Sequence, residues 1–352
     1  MLSVIIPARN EEQAIRPTIE TIRQVLQRDG IAHEIIVIND GSTDRTGELA
    51  VACGATVLHH PTAGGYGRSL KDGIVRARYD LIAITDADGT YPSHRLPELY
   101  RLVAEGGYDM AVGARTGREY RGSFLKMPAR RVFLWLSEYA TGQRIADINS
   151  GLRVFRKELP LRYMHTISDG FSFTTTITLA ALLNGYFVCY LPIEYYKRVG
   201  RSHVRYFKDS LRCLQIIVEN ILYYNPLKLF LLMVNVLLLS AVLAALGCLL
   251  LPGNRASMLC GALAASCFAA AFVVSAVGLH ADLSRMVRSA RDRAPLSRAD
   301  QRPADSPPAR PPVPALAAHA EVSTYGVPLY RTPSAGTSPV GPGLGGPSAE
   351  SS

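Results

Sequence analysis

Two carboxylates one residue apart, Asp86 and Asp88, follow the apolar run Leu81-Ile82-Ala83-Ile84 and precede Gly89. Residues i and i+2 of an extended chain point the same way, so the pair leaves the strand end as two hard oxygen ligands. Mg²⁺ and Mn²⁺ take such ligands and often share their shell with substrate phosphates. A motif this short also occurs as a solvated acidic turn, so its meaning depends on what stands beside it. Asp40 closes another apolar run, where an acidic residue either accepts from a base or ribose or serves a turn. Gly64-Gly65-Tyr66-Gly67 approaches a phosphate or makes a turn, and it lacks the Gly-Lys-Ser/Thr ending of a P-loop. Cations suited to phosphate are Arg115, Arg121, Lys126, Arg130, Arg131, Arg153, Lys197, Arg198 and Arg201, most of which also suit a solvated surface. Arg115 and Arg153 rank first, because each follows a strand-like run or a tight Ser-Gly turn.

The elements that must position these groups are legible from periodicity. A β-branched run from Leu2 ends at Pro7, and Asn10, a good N-cap, is expected to open a helix reaching Asp29 and Gly30. Ile15, Ile19, Ile22 and Leu26 mark its apolar stripe. Residues 34–40 read as a second buried strand, broken at Gly41-Ser42-Thr43-Asp44, which can cap a helix over 45–53. A short strand over 55–58, a helix over 68–78 and the strand before Asp86 follow. Strands alternating with short helices argue a mostly parallel α/β sheet, with its ligand-facing loops gathered at one edge.

Composition narrows the class. The chain has 352 residues, enough for one large domain with appendages, and 19% are charged, where about 25% is usual in soluble proteins. Its formal charge of +9 suits nucleic acid, an anionic membrane or phosphorylated substrates. No interleaving of aromatic and basic residues marks a nucleic-acid module, so nucleic acid is not an expected partner. Six cysteines are scattered without a Cys-x-x-Cys pair, the pattern of free thiols. No basic segment followed by a cleavable apolar one stands at the N-terminus, so no secretory signal is read.

The ordered set Ser3-Val4-Ile5-Ile6-Pro7-Ala8-Arg9-Asn10-Glu11-Glu12, Asn39-Asp40-Gly41-Ser42-Thr43-Asp44, Gly65-Tyr66-Gly67-Arg68-Ser69-Leu70-Lys71-Asp72-Gly73 and Asp86-Ala87-Asp88-Gly89 resembles family-2 glycosyltransferases of the GT-A fold. Within them it is similar to the dolichol- or polyprenyl-phosphate sugar synthase branch. The resemblance runs on through Gly113-Ala114-Arg115, residues 147–153 and residues 197–202, covering about residues 1–210. It implies a Rossmann-like catalytic domain over 1–202. Pro7, Ala8, Asn10, Glu12, Asp40, Gly67, Lys71, Asp86 and Ala87 would bind a nucleotide sugar, either GDP-mannose or a UDP-hexose. Asp86 and Asp88 would hold Mg²⁺ or Mn²⁺ on its diphosphate. Asp88, Asp147, Arg115 and Arg153 would be catalytic, and Arg131, Ser150, Lys197 and Arg201 would hold the acceptor phosphate. The reaction displaces a nucleoside diphosphate, so a Lewis acid matters more than a strong base when the nucleophile is an already ionised lipid phosphate.

Some positions depart from the family. Leu152 stands where relatives often have Phe, and Gly200-Arg201-Ser202-His203 where they commonly have Gly-x-Ser-Lys. Threonines in residues 171–178 occupy positions where many relatives carry a glutamate, which leaves the sugar open.

Residues 121–142 read as a loop entering a helix, whose Val132, Leu134, Trp135, Leu136 and Tyr139 face either a membrane or the core. Residues 203–224 read as an interfacial amphipathic helix with Tyr223 and Tyr224 at headgroup depth. Two uncharged runs, about 227–251 and 258–280, are each long enough to span a bilayer and are joined by a turn at residues 252–255. Arg and Lys flank the outer ends of this hairpin, so positive-inside counting puts the catalytic domain and both termini in the cytoplasm. From residue 285 the tail is basic, and from about 294 it is rich in Pro, Ala, Ser and Gly and expected to lack order. Tyr325 and Tyr330 are the tail's candidate docking residues. The reading is a membrane-anchored, metal-dependent, inverting hexosyltransferase acting on a polyprenyl phosphate, with a homo-oligomer left open. The alternatives are a transferase acting on another lipid or cell-wall glycan, or a non-catalytic membrane platform that binds nucleotide sugar.

Overall fold

The computed structural model describes residues 1–117, 127–170, 172–197, 206–250 and 255–292, with the strand residues 320–322 and 328–330. In chain order the elements are β1 (Leu2–Ala8), α1 (Ile15–Arg28), β2 (His33–Asp40), α2 (Thr46–Ala52), β3 (Thr56–His60), α3 (Tyr66–Arg76) and β4 (Leu81–Ile84). A 3₁₀ turn, Ser93–Arg95, leads into α4 (Leu96–Ala104) and β5 (Met110–Thr116). Then come α5 (Met127–Thr141), β6 (Arg153–Arg156), α6 (Glu158–Arg162), α7 (Phe173–Leu183) and β7 (Val188–Glu194). The chain continues through α8 (Tyr206–Tyr224), α9 (Pro226–Leu250) and α10 (Arg255–Asp292) to β8 (Ala320–Val322) and β9 (Pro328–Tyr330).

The strands form one sheet in the order β3-β2-β1-β4-β6-β5-β7-β9-β8. Its β3-β2-β1-β4 half is parallel, and β6 runs antiparallel to both β4 and β5. β1 sits between β2 and β4 with Leu2, Val4, Ile5 and Ile6 fully buried, as a strand covered on both faces requires. Side chains alternate between two cores. Ile5, Ile36, Ile38 and Ile84 pack under α3 and α7, whereas Val4, Ile6 and Val37 pack under α1 and α4. Every residue from Phe173 to Leu182 is buried, which makes α7 a core helix.

The structure moves several expected boundaries. α1 starts at Ile15, five residues after Asn10, because Asn10 takes a left-handed φ of 55° and bonds across to the loop after β2. α3 starts at Tyr66, inside the glycine-rich run. β3 extends to His60. Within the tail expected to lack order, β9 pairs in parallel with β7 through Tyr190 and Leu329, and β8 closes a hairpin on it.

α9 and α10 are long and apolar enough to cross a membrane, and both are largely exposed. They pack on each other, and a Cβ on Gly278 would lie 2.8 Å from Phe230 Cγ, a close approach that only a small residue allows. So much exposed apolar surface on one hairpin fits lipid, supporting membrane association. α10 runs on to Asp292, past the apolar stretch; the turn residues 252–254 and the basic residue Arg293 lie outside the described residues. Tyr223 and Tyr224, expected at headgroup depth, contact the catalytic domain: Tyr224 Oη lies 3.0 Å from Thr166 Oγ1 and Tyr223 Oη 3.2 Å from His165 Nε2.

Candidate active site

The carboxylate pair sits where β4 ends, and the register explains its surroundings. Ile84 pairs with Arg153, so the turn entering β6 lies beside Asp86. A Cβ on Gly151 would stand 2.9 Å from both Asp86 carboxylate oxygens, so glycine there is a condition of the carboxylate's placement. The Tyr66 hydroxyl donates to Asp86 Oδ1 at 3.0 Å. Asp88 is buried, and its Oδ1 accepts from the Thr90 hydroxyl at 2.7 Å and the Thr90 amide at 3.1 Å. Between them, the Ala87 carbonyl accepts from Thr18 of α1, which fixes the peptide that spaces the two acids.

The loops after β1 and β2 are stitched together. Asn10 Oδ1 accepts from the Thr43 amide at 2.8 Å, and the Asn10 amide donates to Ser42 Oγ at 3.0 Å. The Glu11 amide donates to Thr46 Oγ1, the Glu12 amide to Asp44, and Glu12 Oε2 accepts from the Arg45 amide at 3.4 Å. Pro7 and Ala8 end β1 beneath this double loop, with Ala8 buried. Asp40 is also buried, and its oxygens accept from the Gly64 amide at 2.7 Å, the Gly65 amide at 3.0 Å and His60 Nδ1 at 2.7 Å. Burial alone would raise its pKa; the bonds from His60, Gly64 and Gly65 outweigh it and hold the carboxyl below the ordinary range. Asp40 thus clamps the loop that leads to Tyr66.

Gly67 and Lys71, expected on the nucleotide, meet protein in this structure. A Cβ on Gly67 would lie 2.7 Å from backbone atoms of Asp169 and Gly170, and Lys71 Nζ pairs with Asp169 at 2.6 Å.

Asp147 and Arg115 form a second focus. The Arg115 guanidinium grips Asp147 with two bonds of 2.7 and 3.0 Å, and the amides of Arg115 and Asn149 add 3.2 and 3.1 Å. Burial would raise the Asp147 pKa, but the Arg115 charge and these bonds overcome it, so Asp147 stays below the usual carboxylate range. The guanidinium also lies 5.3 Å from the ring centre of Tyr195, whose ring meets Tyr91 edge-on. Tyr91 in turn accepts from the Gly151 amide at 2.6 Å, tying this focus to the Asp86 slot.

Arg153 is a correction. Expected near phosphate, it is fully buried, and its guanidinium donates to the carbonyls of Ile148, Ser150 and Thr174 and to Thr178 Oγ1. It holds the 148–150 turn against α7, and its bonds run to protein carbonyls, the Thr178 hydroxyl and the Met110 sulfur. Ser150 is buried too, and its hydroxyl has no hydrogen-bond partner among the described residues. Arg131 and Lys197 are exposed. Arg201, Arg121, Lys126 and Arg198 lie outside the described residues, as does the side chain of Arg130.

The donor set fits a small divalent cation that completes its shell from substrate. Two oxygen-bearing acids stand together, and no cluster of three or more His, Cys, Asp or Glu exists among the described residues. Sequence reasoning missed Tyr66, Tyr91, Tyr195, His60 and Asp169. An aromatic inside a glycine run was the one available signal, since such a ring must pack somewhere.

The profile of the glycosyl transferase family 2 matches residues 3–163. A low-salt glycan biosynthesis hexosyltransferase of Haloferax volcanii is 33% identical over 223 residues, which are 62% of this chain and 53% of that protein. A dolichyl-phosphate hexose transferase of the same organism is 31% identical over 57% of this chain and 85% of its own length. An undecaprenyl-phosphate 4-deoxy-4-formamido-L-arabinose transferase of Pectobacterium carotovorum is 29% identical over 47% of this chain. The chain thus spans about half the length of the first and third of these relatives. Glucosyl-3-phosphoglycerate synthase of Mycobacterium tuberculosis, solved with Mn²⁺, UDP-glucose and phosphoglyceric acid, shares the fold with a TM-score of 0.52 and 19% identity over 63% of this chain and 79% of that one. The sheet order, the two acids at the end of β4 and these matches agree: the chain belongs to glycosyl transferase family 2.

Proposed function

We propose that this protein transfers a hexose, with inversion, from a nucleoside-diphosphate sugar to a polyprenyl phosphate at the cytoplasmic face of a membrane. The observation that carries the reading is the placement of Asp86 and Asp88, with the Arg115–Asp147 pair, on one sheet edge of a chain whose next helices form an apolar hairpin. Two relatives, a dolichyl-phosphate hexose transferase and an undecaprenyl-phosphate 4-deoxy-4-formamido-L-arabinose transferase, support the acceptor class. The stitched loops of Asn10 and Thr43, with Pro7 and Ala8, form the base side; GDP-mannose and UDP-hexoses are the donors to test.

Asp86 and Asp88 would hold Mg²⁺ or Mn²⁺, which supplies charge neutralisation as the diphosphate departs. Arg115 is oriented in advance by Asp147 and Tyr195, so its cation needs no rearrangement when charge develops. Asp147 is spent on that orientation and stays ionised, which suits a nucleophile that arrives without a proton to lose. Of the residues assigned to the lipid phosphate, Arg131 and Lys197 are exposed cations. Pairing of β9 with β7 supports the hairpin topology, because two spans return the tail to the catalytic side.

The test is to incubate membranes carrying the protein with labelled GDP-mannose, UDP-glucose and UDP-GlcNAc, undecaprenyl or dolichyl phosphate, and Mg²⁺ or Mn²⁺. Label in the lipid extract is expected with one donor, and its loss in Asp88→Asn with normal membrane insertion excludes a non-catalytic platform. No label from any donor overturns the proposal.

A further inference from the structure

The segment from the loop after β3 into the first turns of α3 is fixed at points on both sides of Tyr66. Before it, the amides of Gly64 and Gly65 donate to Asp40, and Gly65 turns the chain at a φ of 101°, which an L side chain rarely adopts. After it, Gly67 packs without a side chain on the 168–170 backbone, and the Arg68 amide donates to the Asp169 carbonyl at 2.8 Å. Lys71 Nζ completes this second anchor on the Asp169 carboxylate. The segment is therefore a strap with Tyr66 held between two clamps. The ring packs against the α3–α7 core, and its hydroxyl emerges 3.0 Å from Asp86 Oδ1. Gly151 also lies against this carboxylate, close enough that any Cβ would displace it. Asp86 thus has a hydrogen-bond donor and bare backbone among its neighbours.

We propose that Tyr66 is a positioning residue for the donor-side cation site, fixing the Asp86 carboxylate, and that Asp40 acts on that carboxylate through the strap. The inference rests on the reading of Asp86 as a ligand of the cation that arrives with the nucleoside diphosphate. Carboxylate ligands whose own hydrogen-bond partner is removed bind metal less tightly, by roughly 10- to 100-fold in other sites. The strap adds a consequence particular to this chain. Asp40 lies on the base side and Asp86 on the diphosphate side, so the base loop and the cation site share one mechanical element.

Binding of Mn²⁺ to the full-length detergent-solubilised protein, measured by the EPR signal of free Mn²⁺ with UDP or GDP present, tests this without turnover. Tyr66→Phe removes only the hydroxyl and is expected to weaken Mn²⁺ binding about tenfold. Nucleotide affinity without metal should stay within about twofold, since the bond lost is one to the carboxylate assigned to the cation. In an Asp86→Asn background, Tyr66→Phe should have no further effect, because a residue acting through another loses its influence when that one is gone. Asp40→Asn leaves the hydroxyl in place and loosens the strap; a loss of about two- to threefold in Mn²⁺ affinity is expected. Unchanged Mn²⁺ binding in Tyr66→Phe overturns the proposal, as does an equal loss in both backgrounds. If Tyr66→Phe does not fold, undiminished Mn²⁺ binding by Asp40→Asn overturns the strap. A wild-type chain that binds no Mn²⁺ with either nucleotide overturns the metal-dependent reading itself, an outcome distinct from the others.

Discussion

Arg115 and Arg153 stand on neighbouring strands, and the sequence offers the same argument for each: a guanidinium at the end of a strand or turn, beside acidic loops. Their surroundings differ in kind. Arg115 is near the mouth of the site, with its cation shared between the Asp147 carboxylate and the Tyr195 ring. Arg153 is walled in, with backbone carbonyls and one threonine hydroxyl as its partners. The pleat explains the contrast. Arg153 pairs with Ile84 and Val112 and shares with them and Phe155 the core under α7, whereas Arg115 stands one residue past the core-facing Ala114 and turns to the opposite face. The two cations teach that position along a strand is not enough; the face decides whether a charge meets ligand or scaffold.

The comparison can be broken most directly at Arg153. Arg153→Met removes a buried cation and with it the guanidinium bonds to the Ser150 carbonyl, while the Thr174 carbonyl keeps its bond from the Thr178 hydroxyl. Stability should fall by about 3 kcal/mol, given roughly 1–3 kcal/mol for each buried group left unpaired and partial relief from burying one charge fewer. Chemical unfolding in detergent measures it. A variant that unfolds like wild type but transfers less sugar would give Arg153 a ligand-facing role and erase the distinction.

Arg115→Lys probes the other side with a smaller change. Lysine keeps the charge but cannot form the two-pronged grip on Asp147. The lost orientation should lower kcat/KM by about ten- to a hundredfold, the equivalent of one charged hydrogen bond. Unfolding should shift far less than in Arg153→Met. Equal destabilisation in the two variants would mean that both arginines are scaffold.

The sequence revealed most where the chemistry is local. β-branched runs announced β1, β2 and β4, and uncharged stretches announced α9 and α10, because burial and lipid impose composition directly. The Asp86/Asp88 pair was legible because the apolar run before it and the loop motifs that accompany it are each local in sequence. What escaped was set by contacts between distant segments. Asn10 looked like a helix cap, yet its side chain serves Thr43, 33 residues away. Tyr66 looked like one letter of a glycine turn, but its partner Asp86 becomes visible only once β4 is placed beside the strap. The pairing of β9 with β7 joins segments that no local pattern connects.

Acid sharpens the comparison with the smallest effect. Asp147 has its pKa lowered in the folded protein, so its contribution to stability is full above the unfolded value of about 3.9 and is lost as pH falls through the folded value. Arg153 bonds to carbonyls and a hydroxyl, none of which titrate in that range. The stability difference between wild type and Asp147→Asn should therefore stay constant from about pH 5 to 8 and shrink below about pH 4. The difference between wild type and Arg153→Met should show no matching decline over the same interval. Unfolding curves at stepped pH separate the two cases. A wild-type advantage over Asp147→Asn that already fades near neutrality would mean that Arg115 does not hold Asp147 ionised, and the orientation assigned to that pair would fall with it.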